Sequence, residues 1–158
     1  MNNSNNLFTV LTLIAAPAIL TNATSVLALN TANRFGRVVD RSRVVAAGLR
    51  ELTGDSLGYG LWQRQLERLK LRAELLIRAQ TGLYLALGAF VATALTAVCG
   101  AVLNERTPLA ATVLGGTALA LGVTATGSLM TACVQLVRET RIALAGLRDD
   151  VTAFGDPV

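Results

Sequence analysis

Three long stretches of the chain carry no Asp, Glu, Lys or Arg: Met1–Asn33, Ala79–Asn104 and Thr107–Val137. Each contains an apolar run longer than the ~20 residues that cross a bilayer as a helix. None shows the strict alternation of a barrel strand, and backbone amides in lipid must be bonded within their own segment. The pattern predicts three transmembrane helices, at about Leu7–Asn30, Thr81–Leu103 and Leu109–Val137. The third is longer than a bilayer requires, so it is expected to tilt or project.

Between the runs the pattern stays helical. "LALNTANRFGRVVDRSRVVAAGLREL" lacks proline and has only Gly36 and Gly48 as weak points, so the first helix is predicted to continue to about Leu52. "TGDSLGYG" holds three glycines in eight residues and predicts a turn. In "LWQRQLERLKLRAELLIRAQ", Trp62, Leu66, Leu69, Ala73 and Leu76 recur at three- and four-residue spacing opposite Arg64, Glu67, Arg68 and Arg72. This amphipathic helix runs without a breaker into the second span. After the third span, "RETRIALAGLRDDVTAF" reads as a short amphipathic tail, and "GDPV" ends it.

The predicted fold is therefore all-α: an integral membrane protein with three transmembrane helices, the first two extended into a cytoplasmic helical hairpin. Its sections are an outer segment with helix 1 (1–33), a basic hairpin (34–80), a transmembrane hairpin (81–137) and a tail (138–158).

Composition agrees with this class. Hydrophobic residues make up 53% of the chain, charged residues 15%, and mean hydropathy is +0.53, whereas a soluble domain carries nearer ~25% charged residues. Charge also sets the orientation. Ten of the 14 Lys and Arg lie between Arg34 and Arg78, three follow Val137, one is Arg106, and Met1–Asn6 has none. Positive loops remain in the cytoplasm. The N-terminus is thus expected outside, with the basic segment and the tail inside and Asn104–Thr107 as a short outer turn. "MNNSNN" lacks the positive region of a signal peptide, so the first run is expected to be retained.

Candidate chemistry is sparse. "GDSL", Gly54–Leu57, carries the letters of a serine-esterase motif. Such an enzyme needs a strand before its serine and a histidine base, but this chain has no histidine. Ser56 and Asp55 read as turn residues. Zinc sites rely on His and Cys. Cys99 and Cys133 lie at opposite depths of the predicted hairpin, too far apart to bridge, and are expected to be small core fillers. No Gly-rich phosphate loop is present. The chain reads as a non-enzyme with no metal and no cofactor.

What remains are three patterned surfaces. On the first helix, Asn22, Asn30, Asn33, Arg34, Arg37 and Arg41 fall within an arc of about 120°. In one reading these amides bond neighbouring helices and the arginines sit among headgroups. In the other, several copies surround a polar path with arginines at its inner mouth, and Asp40 could blunt the ring by pairing with Arg37 or Arg41. On the third helix, Gly116, Ala120, Thr124 and Ser128 recur every four residues, as do Ala111 and Gly115; Ala89, Thr93 and Ala97 do so on the second. Such small-residue ridges let helices approach closely, within one chain or between copies. On the hairpin, Trp62, Leu66 and Leu69 form the packing face. Its ten basic residues, against five acidic ones, suit anionic lipid headgroups or a partner protein. The lack of aromatics there argues against nucleic acid.

An outward-facing first helix ending in "NTANRFGRVVDRSR", a hairpin with "LERLKLRAELLIRA" and then two spans together resemble the bacterial membrane proteins grouped as domain of unknown function 2721. The resemblance covers about Leu11 to Arg141, with Asn33, Arg34, Arg37, Asp40, Arg41 and Arg43 at its core. It implies a bacterial inner membrane and supplies no catalytic residue or ligand. Two functions are expected from the residues: a homo-oligomeric pore for ions or small solutes lined by helix 1, or a non-conducting scaffold or accessory subunit whose basic hairpin holds a partner or anionic lipid.

Overall fold

The computed structural model describes residues 3–51, 59–103 and 107–154, with side-chain surroundings for 15–51, 59–103, 107–146 and 148. The turn containing Ser56, the outer turn at Asn104–Arg106, and residues 155–158 lie outside the described residues. Three helices and no strands make up the described chain: α1 (Asn3–Glu51), α2 (Tyr59–Leu103) and α3 (Pro108–Phe154). Both glycines flagged as weak points in the first helix are spanned, and α1 ends within a residue of the predicted Leu52.

The main departure is α3. The predicted amphipathic tail is no separate element, because the helix runs on through Arg138–Phe154. Nothing between Val137 and Leu147 breaks a helix, since the stretch has neither proline nor an internal turn cluster, and Gly146 alone is tolerated. At its start, Thr107 precedes Pro108, the position where proline's missing N–H costs nothing. The Ala111 N–H donates to the Thr107 carbonyl at 3.1 Å.

Two helices, α2 and α3, contain apolar windows long enough to cross a membrane. Only 17% and 11% of those windows are buried. A soluble core helix hides such side chains, whereas Leu85, Leu95, Val102, Leu109, Leu119 and Val123 are all exposed. Exposed apolar surface on this scale fits membrane association. In α1 no such window is found among the described residues, and the apolar side chains of Leu7–Ile14 lie outside them.

The chain divides into two compact units, each built from parts of all three helices: unit 1 (Met1–Leu29, Thr81–Thr131) and unit 2 (Asn30–Gln80, Ala132–Val158). Along every helix the buried positions follow a seven-residue rhythm, which keeps one seam turned toward its neighbours. The seam is Thr24, Ala28, Thr31, Val38 and Val45 on α1, and Leu69, Leu76, Leu83, Phe90 and Ala97 on α2. On α3 it is Ala118, Ala125, Ala132 and Glu139.

Unit 1 is packed through small residues. Ala86, Phe90 and Ala125 form its buried cluster, with Ala89 and Leu129 against them. A Cβ on Gly122 would lie 3.7 Å from Thr93 Cγ2, and one on Gly100 would lie 3.4 Å from Leu114 Cβ. Such approach of α2 to α3 needs residues with little side chain. Ser128 donates to the Gly82 carbonyl at 2.9 Å, a polar tie across the pair. Other hydroxyls bond back to their own helix: Thr24 to Leu20, Thr93 to Ala89, Thr117 to Leu114, Thr124 to Leu121 and Thr126 to Gly122, all at 2.7–2.9 Å. These bonds satisfy the hydroxyls without a partner, so threonines here are compatible with lipid.

Unit 2 has the larger side chains. Val38, Val45, Leu69 and Leu76 are buried together, with Phe35, Trp62, Leu66, Ala73 and Leu136 packed around them. The Trp62 ring lies directly on Gly48, where any Cβ would collide with Trp62 Cζ3. Gly48 is therefore a seat for the indole, and its lack of side chain offsets its poor helix propensity.

Candidate functional site

The polar centre of unit 2 is built by all three helices. On α1, Arg34, Arg37, Val38 and Arg41 follow i, i+3, i+4, i+7 spacing and share one face. On α2, Leu69 and Arg72 do the same. On α3, Glu139 falls where the seam has alanine one, two and three heptads earlier, so the helix phase carries its side chain inward. Glu139 is 0% exposed.

A buried carboxylate is costly unless it is paired and hydrogen-bonded. Here Arg34 Nη2 donates to Glu139 Oε2, and Arg72 donates to Oε1 from Nε at 2.9 Å and from Nη2 at 2.9 Å. Arg34 also donates to Thr140 Oγ1 at 3.1 Å, and that hydroxyl donates to the Leu136 carbonyl at 2.9 Å. One carboxylate thus ties α1 to α2 through α3, and the Arg34 and Arg72 side chains are 29% and 28% exposed.

Beside this clamp lies an open groove of about 260 Å³, lined by Arg34, Arg37, Val38, Arg41, Leu69 and Arg72. Four guanidinium groups border it, and the single Glu139 charge is shared by two of them. Four positive charges less one leaves a net of three. Among the described residues, Arg37 and Arg41 make no ion pair. Asp40, a possible partner for one of them on sequence grounds, instead lies 3.9 Å from Arg43, with both side chains more than three-quarters exposed. That contact is i, i+3 along the outer face, and an exposed pair of this kind contributes little. It leaves the groove's charge intact.

The remaining sequence candidates are distributed as follows. Asn22, Asn30 and Asn33 are exposed, whereas Thr24 and Thr31 on the other side of α1 are buried. Arg34, grouped with the asparagines as part of an inner ring, is turned to Glu139 instead. On α3, Gly115, Gly116, Ala120 and Thr124 are exposed; of that ridge Ser128 alone joins α2. Residues two apart are about 200° apart round a helix, so the face used is the opposite one, with Ala118, Gly122 and Ala125. Ala89, Thr93 and Ala97 on α2 do lie at the α2–α3 contact or are buried. Trp62 and Leu66 pack on the core to which Leu69 belongs. Cys99 and Cys133 are exposed free thiols, not core fillers.

Glu139 is the functional residue that the sequence reading passed over. The signal was present as the heptad Ala118, Ala125, Ala132, Glu139, a charged residue continuing a row of small buried ones.

These features define an all-helical protein with two membrane-length apolar helices and an arginine-bordered groove, two of whose arginines are held by a buried glutamate. A family model described as Protein of unknown function (DUF2721) matches residues 14–149, and the chain belongs to that family. The arginine stretch of its resemblance contributes Arg34, Arg37 and Arg41 to the groove. Neither the curated proteins nor the solved structures provide a match.

Proposed function

We propose that this is a non-catalytic scaffold or accessory protein of a bacterial inner membrane, with unit 1 in the bilayer and unit 2 on the cytoplasmic side. Its basic face is proposed to hold anionic lipid headgroups. The segregation of charge carries this reading. All but one of the 14 Lys and Arg fall within the bounds of unit 2, as do all but one of the 10 acids. Unit 1 therefore has the composition of a lipid-solvated body and unit 2 that of a wet, basic one. A basic surface beside a negative leaflet gains roughly 1 kcal/mol per Lys or Arg. The topology proposed with it is the one expected from the basic segments, with the N-terminus outside and three spans. The measurement is lipid retention by the purified full-length protein in mild detergent, read by native mass spectrometry. Phosphatidylglycerol should be retained over phosphatidylcholine, and less so at high salt. Equal retention of the two lipids sinks the proposal.

A second reading, a homo-oligomeric pore lined by α1, is favoured by a different observation. Asn22, Asn30 and Asn33 are exposed on α1, and so is the Gly116–Ala120–Thr124 ridge on α3. An asparagine facing lipid is expensive, so a neighbouring copy or a polar path would relieve it. Subunit counting by native mass spectrometry separates the readings. A ring of four or more copies, with flux altered by Asn30→Leu and ion preference by Arg37→Glu, supports the pore. A monomer or dimer removes it.

A further inference from the structure

We infer that the groove of unit 2 is a binding site for one phosphate monoester dianion, held by Arg37 and Arg41 from α1 together with Arg34 and Arg72, which the buried Glu139 holds in place. The inference rests on the reading of unit 2 as an anion-holding face and deepens it from a diffuse surface to a site with a defined ligand class.

Three observations carry it. The first is shape: about 260 Å³ is below the ~300–1,000 Å³ of sites for drug-sized ligands. A phosphate with its first ester carbon fits within it, and the open side leaves room for the rest of the ester. The second is preorganisation. Arg34 and Arg72 are fixed by the buried Glu139, so they hold position without a ligand and lose little side-chain freedom when one arrives. Their remaining N–H donors are not all used by the carboxylate, because each guanidinium carries five. The third is charge. Glu139 cancels one of four guanidinium charges, leaving three. A phosphodiester offers one negative charge, and a phosphomonoester carries about 1.5–2 at neutral pH. The groove discriminates by charge as well as by the fork geometry with which Arg meets phosphate oxygens.

The apolar lining, Val38 and Leu69, gives the ester side of the ligand a non-polar wall. Arg34 is the first charged residue after the uncharged Met1–Asn33, and Glu139 is the second after the uncharged Thr107–Val137. In the proposed topology that places the groove at headgroup depth. A lipid phosphomonoester and a soluble phosphorylated metabolite share the chemistry, and the assay separates them.

The test uses the full-length protein in mild detergent, read by native mass spectrometry and isothermal titration, with four probes. These are phosphatidic acid, phosphatidylglycerol, glycerol 3-phosphate and inorganic phosphate. Phosphatidic acid should be retained about 10-fold over phosphatidylglycerol. Arg37→Gln and Arg41→Gln should each lower that retention roughly 10-fold, since a charge-assisted hydrogen bond of this kind corresponds to about a factor of ten or more. Arg50→Gln, on the same helix but outside the groove, should leave it unchanged. All three side chains are exposed, and unchanged helical circular dichroism checks that the variants fold. Displacement of the lipid by millimolar glycerol 3-phosphate or phosphate assigns the site to a soluble ligand; retention against both assigns it to the lipid. Equal retention of the two lipids, both above phosphatidylcholine and equally weakened by all three substitutions, overturns the inference while leaving the basic surface in place. If neither lipid exceeds phosphatidylcholine and neither soluble probe titrates, the site and the surface reading fail together.

Discussion

Units 1 and 2 are made from the same three helices with the same seven-residue seam, yet they bury different residues, and in the proposed placement they face different solvents. Unit 1 buries alanines and hydroxyls: Ala86, Ala125, Thr24 and the Ser128–Gly82 tie. Leu83 and Phe90 are buried with them, while many other large apolar side chains, such as Leu95 and Leu119, face outward. In lipid there is nothing to gain by moving Leu inward, and small residues bring helices close enough for dispersion and weak polar contacts to hold them. Unit 2 buries larger side chains at its centre, Leu76 and Val45 among them, while Leu61, Leu71 and Val134 stay exposed. Burial of that kind is favoured where a body faces water, as unit 2 does in the proposed placement. It also buries a charge and surrounds it. The comparison shows one seam geometry carrying two kinds of core, small and hydroxyl-bearing in unit 1 and larger and charged in unit 2, with the identity of the seam residue deciding which.

The comparison breaks most sharply at Glu139. Replacing it with leucine leaves Arg34 and Arg72 close together without their anion, and removing one partner of a buried ion pair typically costs about 3–5 kcal/mol. Glu139→Leu should therefore lower the thermal midpoint in detergent and speed amide exchange in 30–51 and 59–80, with far less change in 81–103. A uniform loss across both units would show that they do not behave as separate cooperative bodies. The triple change Arg34→Met, Glu139→Leu, Arg72→Met should recover most of that stability, because an apolar cluster of similar volume replaces the clamp.

Next in size is a matched pair of packing changes. Trp62→Ala in unit 2 should cost about 2 kcal/mol, below the ~3–5 of a fully buried aromatic because the ring is only half-buried. Ala125→Leu in unit 1 should cost about 1–3 kcal/mol by overpacking a fully buried site. Exchange mapping should place the first effect in 30–80 and the second in 81–131. If Ala125→Leu is silent, the close α2–α3 approach is not what holds unit 1 together.

The smallest effect tests polarity within unit 2. Gln135 buries an amide oxygen that has no hydrogen-bond partner among the described residues. Gln135→Leu should change stability by less than about 1 kcal/mol, in the stabilising direction, since an unsatisfied buried acceptor carries a desolvation cost. A loss larger than that in a chemical or thermal melt would mean that this oxygen has a partner in the folded protein.

Much of this architecture was legible in the order of residues. Three uncharged runs, a glycine cluster and the Trp62–Leu66–Leu69 spacing predict long helices and their hairpin, because helix periodicity and hydrophobicity act locally. The absence of histidine makes the GDSL letters of Ser56 unpersuasive on chemical grounds alone. Even the arginine stretch of α1 was marked by its spacing and by its likeness to the family that the matched region then showed.

Two decisions belonged to the tertiary structure. One is which side of α3 packs: the Gly116–Ala120–Thr124 ridge and the Ala118–Gly122–Ala125 ridge are both small and lie on opposite faces, so composition does not choose between them. The register of α3 against α2 does. The other is the fate of Glu139. Read along the chain, it is one charge among Arg138, Arg141 and Arg148, a solvated end of a helix. Continuing α3 in phase carries it into the seam, and burial then demands Arg34 and Arg72, which lie 105 and 67 residues away. The sequence determined the helices and which stretches of them are free of charge. Only packing decided which charges would meet each other, because electrostatic pairing across long loops depends on a helix phase that no local pattern records.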